Sequence, residues 1–194
     1  MKDVSKLKDE EVLKLVIGNI DYFSEIIIRY EERLLRYIIR ISFLDIADAE
    51  NLLQEVFIKV YKNIHDFDFK FPFSSWIYRI AHNVTIDYYR KNKKFINNIV
   101  GQDSEEYEKI ISNIESDNKP DKVFENNENK EILYKALQKL KVNYKEVLIL
   151  KFIEGKSYEE IGEILMISIG TVGTLINRAK KQLKEELEKL NFNL

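Results

Sequence analysis

Residues Phe73 to Lys94 read FSSWIYRIAHNVTIDYYRKNKK. Phe73, Ile77, Ile80, Ala81, Val84 and Tyr88 recur at three- and four-residue steps, the spacing of one apolar helical stripe facing a core. Trp76, Arg79, Asn83, Asp87 and Arg90 fall on another stripe, which mixes a ring, an amide and charges. Ser74 or Ser75 is suited to cap the helix start, and Lys91, Lys93 and Lys94 place positive charge at its end. From Lys70 to Lys94 there are six Lys/Arg and a single acid, Asp87. Rings interleaved with cations suit single-stranded nucleic acid, because bases stack on aromatic faces while cations follow the phosphates. An amphipathic core helix with a solvated basic end fits the same residues, and this stretch alone leaves both readings open.

Working outward, the 194 residues suffice for one large domain or two small ones. The chain is 45% hydrophobic and 33% charged, an ordinary balance for a soluble globular protein. No run approaches the roughly 18 apolar residues of a membrane span, and the first residues have no signal-peptide core, so membrane insertion is not expected. With no cysteine, disulfides, thiol nucleophiles and thiolate metal sites are excluded, which suits the cytoplasm. Six glycines and two prolines point to an all-α chain.

The net charge is −2, but its distribution is uneven. Residues 1–95 carry 16 Lys/Arg against 15 Asp/Glu, residues 96–128 carry 3 against 9, and residues 129–194 carry 12 against 9. Residues 96–128 therefore read as an acidic, Asn-rich linker between two small helical domains, 1–95 and 129–194.

Residues 9–41 have helical periodicity, with Gly18-Asn19 as a candidate break. Arg29, Arg33, Arg36 and Arg40 line its far side and read as a salt-bridged solvent face, with a nucleic-acid or partner face as the alternative. Asp45 to Asp48 offers caps for the next helix, Ala49 to Ile64, which is expected to bury Ala49, Leu52, Leu53, Val56, Phe57, Val60, Tyr61 and Ile64. Its outer stripe is Asn51, Gln54, Glu55 and Ile58, and an isoleucine within a polar stripe suggests a docking surface. In the following loop, HDFDFKFPF, the four phenylalanines must either plug the core or stack on something, and core packing is the default expectation.

Residues 129–194 show three apolar-periodic segments and a break at Gly155. Ser157-Tyr-Glu-Glu160 has the form of a capping box opening a short helix. Met166 to Gly170 is a turn, and Ser168 can cap a last helix from Thr171 to about Leu190. Val172, Ile176, Ala179 and Leu183 are expected to face inward. A capped short helix, a tight turn and a helix bearing Arg178, Lys180, Lys181 and Lys184 make a helix-turn-helix pattern.

Two blocks carry a family resemblance. The first is DAENLLQEVFIKVYKNI (48–64) followed by FPFSSWIYRIAHNVTIDYYRK (71–91). The second is LILKFIEGKSYEEIGEILMISIGTVGTLINRAKKQLK (148–184). Together they resemble the extracytoplasmic-function (ECF) sigma factors, the compact branch of the sigma-70 family. The resemblance implies a specificity subunit that binds RNA polymerase core, through its beta and beta-prime subunits, and directs promoter-specific initiation. It implies that 1–95 is region 2 and 129–194 is region 4. Core binding would fall on Asp48, Asn51, Gln54, Glu55 and Ile58. The minus-10 element would be recognised and opened by the loop before Phe73 and by Trp76, Arg79, His82, Asn83, Asp87, Arg90 and Lys91. The minus-35 element would meet Ser168, Thr171, Thr174, Asn177, Arg178 and Lys181. Members are often held by an anti-sigma factor, and no residue here identifies one. The linker would thread polymerase channels built for a polyanion.

Three positions depart from the family pattern. Gly173 and Leu175 stand where basic residues are usual, and Met166 replaces the usual turn glycine. A stand-alone helix-turn-helix regulator is the alternative that region 4 alone allows. Catalysis is not expected, since His65 and His82 have no metal-ligand or nucleophile constellation around them. No cofactor or metal is implied.

Overall fold

Apolar residues at helical spacing alternate with caps and breakers along the chain, and helices follow wherever those signals coincide. The computed structural model describes residues 4–99, 127–190 and 192, with side chains for 4–91, 132–190 and 192. Among the described residues every regular element is helical. Two compact units emerge, Met1–Lys91 with Glu159–Ile167, and Asn92–Tyr158 with Ser168–Leu194.

The first unit opens with α1, Asp9–Gly18. It ends where the sequence placed a break, because Asn19 takes an extended conformation and its side chain accepts from the Asp21 N–H at 3.0 Å. A single 3-10 turn, Ile20–Tyr22, leads into α2, Phe23–Ser42. Phe43 closes α2 at φ 53 with its N–H on the Ile39 carbonyl. α3, Ile46–Asn63, starts behind Asp45, whose carboxylate accepts the Asp48 N–H at 2.8 Å as an N-cap. α4 runs Phe73–Ile99, past Lys94 where the sequence placed the basic end.

The core of this unit comes from all four helices. Val12, Leu13, Val16, Ile26, Leu34, Ile38, Leu52, Val56, Val60, Ile77, Ala81 and Val84 are buried, as are the rings of Tyr30, Tyr37, Phe73 and Tyr78. Each fully buried aliphatic side chain contributes about 1.5–3 kcal/mol relative to exposure. Arg29 fastens the N-terminal segment to this core. Its guanidinium bonds Asp9 at 2.9 Å and Glu25 at 2.8 Å, and donates to the carbonyls of Leu7 and Val4, both at 2.7 Å. Arg36 pairs with Glu32 one turn back, and Arg33 lies over the Tyr30 ring. The arginine face of α2 is therefore occupied by internal contacts.

Two features differ from the sequence expectation. Ser74 and Ser75 do not cap α4. The helix starts at Phe73, and the Pro72 carbonyl already accepts from Ser75 and Trp76 at 3.1 and 3.3 Å, as a residue just outside a helix does. The Ser75 hydroxyl is buried with no hydrogen-bond partner. The four loop phenylalanines also split: Phe67 and Phe73 are core, whereas Phe69 and Phe71 are 41% and 51% exposed.

The second unit holds α5, Asn127–Lys139, and α6, Val142–Leu148, which widens into a π turn over Ile149–Ile153. Gly155, at φ 66, ends it, and the Lys156 N–H reaches back to the Leu150 carbonyl at 2.9 Å. α7, Tyr158–Leu165, begins directly after Ser157 and from Glu159 on is grouped with the first unit. Met166 makes the turn at φ 56, and α8 spans Ile169–Lys189. α5 and α6 both pack on α8, whose Val172, Ile176 and Ala179 are buried. Leu183, expected inside, is only half-buried, and Phe152 is exposed with the Lys180 ammonium 4.8 Å from its ring centre. Burial pushes the Lys145 ammonium down to about 7, against the opposing pull of Glu146. The linker expected over 96–128 lies for the most part outside the described residues.

Candidate polymerase-docking and nucleic-acid surfaces

The outer stripe of α3 arises from its apolar periodicity. With Ala49, Leu52, Leu53, Val56 and Val60 buried, the intervening positions must point outward. Asn51, Gln54, Glu55 and Ile58 are all exposed, Ile58 by 53%. Glu55 pairs with Lys59 at 3.0 Å, an i,i+4 bridge worth a few tenths of a kcal/mol. Tyr61, expected inside, is instead 50% exposed, and meets the edge of Phe23 with ring centres 5.6 Å apart. It lies one turn beyond Ile58, so the apolar part of the stripe is a pair. Sequence periodicity missed it because position 61 lies at the margin of the buried face.

Asp48 behaves differently from the rest of its group. It is half-buried, and its Oδ2 accepts from the Tyr88 hydroxyl at 3.2 Å. Burial, and then the Asp48 charge, push the Tyr88 phenol up. Asp48 therefore ties α3 to α4, while Asn51, Gln54, Glu55 and Ile58 face solvent.

On α4, Asn83, Arg90 and Lys91 are exposed and Arg79, His82 and Asp87 are partly so. Arg90 is 3.6 Å from Asp87. Trp76 shares their helical stripe, but its ring is packed. It lies 5.4 Å from Phe67 and 5.7 Å from Phe73, centre to centre. Trp76 thus builds the base of an aromatic cluster. The rings offered to solvent are Phe69 and Phe71. Phe69 leans on Phe67 at 5.1 Å and has the Lys14 ammonium 5.6 Å from its centre. No sequence signal separates them from Phe67, because alternate residues of an extended stretch line one face.

α4 is held rigidly behind these groups. Tyr78 packs on Tyr37 at 5.1 Å, and the Tyr89 hydroxyl donates to the Ser42 carbonyl at the end of α2. Burial pushes the Tyr89 phenol up, so it remains a donor throughout the physiological range.

α8 presents the third set. The Ser168 hydroxyl accepts the Thr171 N–H at 3.2 Å and lies 2.8 Å from the Thr171 hydroxyl. Thr174 donates back to the Gly170 carbonyl at 2.9 Å. Ser168 and Thr171 thus spend hydrogen bonds on the cap, whereas Asn177, Arg178 and Lys181 are exposed side chains opposite the buried face. A Cβ built on Gly173 would meet the Tyr158 ring at 3.7 Å, an ordinary contact, so crowding does not explain the glycine.

Among the described residues no group of three or more His, Cys, Asp or Glu is placed to hold a metal ion. No described helix is long and apolar enough to cross a membrane.

A polar stripe with an exposed isoleucine, a face with exposed cations and protruding rings, and a capped helix after a tight turn together fit a helical DNA-binding protein of two parts. Comparison with known proteins specifies which. Residues 26–95 match the family model for sigma-70 region 2, and residues 130–183 match that for sigma-70 region 4. The chain is 35% identical to the ECF RNA polymerase sigma factor SigW of Bacillus subtilis over 174 residues, 89% of this chain and 92% of that protein. Its fold is similar to CnrH solved in complex with the cytosolic domain of CnrY, with TM-score 0.68, 21% identity and coverage of 93% and 97%. It is also similar to the sigma factor RpoE of Bartonella quintana, solved with the anti-sigma factor NepR, with TM-score 0.63, 23% identity and coverage of 86% and 96%. The chain belongs to the ECF sigma factors of the sigma-70 family, and as such binds RNA polymerase and directs transcription initiation.

Proposed function

We propose that the chain works as a dissociable specificity subunit whose surfaces divide the task. Residues 1–95 act as region 2, 96–128 as an acidic linker and 129–194 as region 4. Asn51, Gln54, Glu55 and Ile58, extended by Tyr61, dock on polymerase core, with Asp48 bracing them from behind. Arg79, His82, Asn83, Asp87, Arg90 and Lys91 meet the minus-10 element, and Phe69 and Phe71 supply the faces on which unstacked bases lie. Trp76 supports those rings from below. Asn177, Arg178 and Lys181 lead the contact with the minus-35 element in the major groove, while Ser168, Thr171 and Thr174 shape the helix end that enters it. In this reading the polymerase performs all the chemistry, and the protein acts where the polymerase is, in the cytoplasm. An anti-sigma partner of the kind seen with RpoE would compete for these same surfaces.

The observation that carries the division is the double exposure on one unit. An isoleucine is 53% exposed within a polar stripe of α3, and separately two loop phenylalanines are 41% and 51% exposed. Capturing bases on those rings offsets an unstacking cost of a few kcal/mol, at about 1–3 kcal/mol per stacked base.

Run-off transcription with purified core tests this reading. Gln54→Ala with Glu55→Ala should weaken core binding and leave opening by the assembled holoenzyme intact. Phe69→Ala with Phe71→Ala should do the reverse. If both pairs fail at the same step, the division of the first unit is wrong.

A further inference from the structure

α1 lies outside every role assigned so far, yet it touches the loop that carries the exposed rings. The α4 N-terminus has N–H groups with no partner inside the helix. One is supplied from far along the chain, where Glu10 Oε1 accepts the Phe73 N–H at 3.2 Å across 63 residues. One turn on, and on the same face of α1, Lys14 places its ammonium 5.6 Å from the centre of the Phe69 ring. Both ends of the Phe69–Phe73 segment therefore contact one helix.

That helix is itself immobilised. Asp9 takes the Arg29 guanidinium at 2.9 Å and the Tyr30 hydroxyl. Arg29 holds the preceding turn through the Leu7 and Val4 carbonyls. Val12, Leu13 and Val16 are buried. A strut fixed in this way can transmit position to the loop it touches. Phe71 is half exposed, and its N–H makes a local turn bond to the Asp68 carbonyl at 3.1 Å.

We propose that α1 is a positioning element for base capture: Glu10 fixes where the phenylalanine loop ends, and Lys14 fixes which face of Phe69 is open. The inference rests on the reading that Phe69 and Phe71 meet opened promoter DNA. Lys14 lies over the Phe69 ring and Phe67 packs against it at 5.1 Å, while the ring stays 41% exposed, so these contacts set the orientation in which a base would meet it rather than adding bulk affinity. Pre-setting that orientation removes an ordering cost that a free loop would meet at each opening event.

The test uses the full chain with purified core, on a promoter where the unaltered holoenzyme gives a run-off transcript. Core affinity and the fraction of open complex, read by permanganate reactivity of unpaired thymines, are measured side by side. Glu10→Ala should lower the open fraction about fivefold at equal core occupancy, the size of a lost N-cap. Glu10→Gln, which keeps an acceptor oxygen, should restore most of it. Lys14→Met, at an exposed position, should lower it about two- to threefold. If all three variants open DNA as well as the unaltered protein, or lose core affinity in step with opening, α1 has only a structural role and the inference is overturned. If the unaltered holoenzyme binds core and transcribes, but Phe69→Ala with Phe71→Ala opens normally, the reading beneath it fails instead.

Discussion

Replacing Met166 by glycine should stabilise this protein, although it removes a large side chain. Met166 makes the turn between α7 and α8 at φ 56, in the left-handed region. For a residue with a Cβ that conformation costs about 1–2 kcal/mol. Glycine escapes the cost, but loses more freedom on folding, which returns about 0.5–1 kcal/mol. The methionine is 72% exposed, so truncation forfeits little burial. The net gain is about 0.5–1 kcal/mol, or a rise in melting temperature of about 1–4 °C for a protein of this size. Differential scanning calorimetry on the full chain reads it directly. Met166→Ala is the control, since it loses the same side chain and keeps the Cβ, and should show no gain. Gly155→Ala is the mirror image. That glycine sits at φ 66 with nothing within 4 Å of an added Cβ, so its loss of about 1–2 kcal/mol would be conformational alone. If Met166→Gly melts no higher than Met166→Ala, the backbone argument for the turn is refuted.

Further outcomes follow from other contacts. Arg29→Met should cost about 2–3 kcal/mol in chemical denaturation, because it strands the Asp9 and Glu25 carboxylates and frees two carbonyls at once. Lys145 should make stability rise with pH between about 7 and 10.5. In that window the unfolded chain holds a proton that the folded chain has shed, and the gain is lost again as pH falls through 7. Lys145→Met should flatten the slope in urea titrations across that range. Asp48→Asn and Tyr88→Phe should be non-additive by about 0.5–1.5 kcal/mol in a double-mutant cycle, and strict additivity would mean that the 3.2 Å bond contributes nothing. Neutralising Asp103, Glu105, Glu106 and Glu108 should change core affinity and the yield of abortive transcripts, if the acidic segment mimics a polyanion in the polymerase channels.

Helix positions were legible because burial of a helical stripe demands a period that few other constraints disturb. The caps at Asp45 and Ser168 and the break after Gly18 were legible for a similar reason: each depends on one local bond or one local φ. Residues at the edge of a stripe were not. Tyr61 and Phe152 have the right spacing for burial, but a neighbouring helix must be present to cover them, and spacing does not say whether it is. The site was less legible than the fold. Trp76 shares a stripe with Arg79 and Asn83, yet a loop ring and the first residue of its own helix close over it. Phe69 and Phe71 could not be separated from Phe67 by composition, because the loop that contains them has no helical period. Glu10 was invisible for the plainest reason. Its partner is 63 residues away, and only the folded chain brings a carboxylate of α1 to the first N–H of α4.

The aromatic cluster under the loop also gives the protein an internal optical reporter. Trp76 is the only tryptophan in the chain, while the tyrosines number 11. Excited at the red edge of the absorption band, emission therefore originates at a single ring, half-buried against Phe67 and Phe73. Its colour and lifetime follow the packing against Phe67 and Phe73, at the base of the loop that carries Phe69 and Phe71. Rearrangement of the loop on meeting core or DNA can thus be followed in real time in the unlabelled protein, against the polymerase's own tryptophans by difference. Comparing the emission with far-ultraviolet circular dichroism during unfolding separates the melting of the first unit from that of the second.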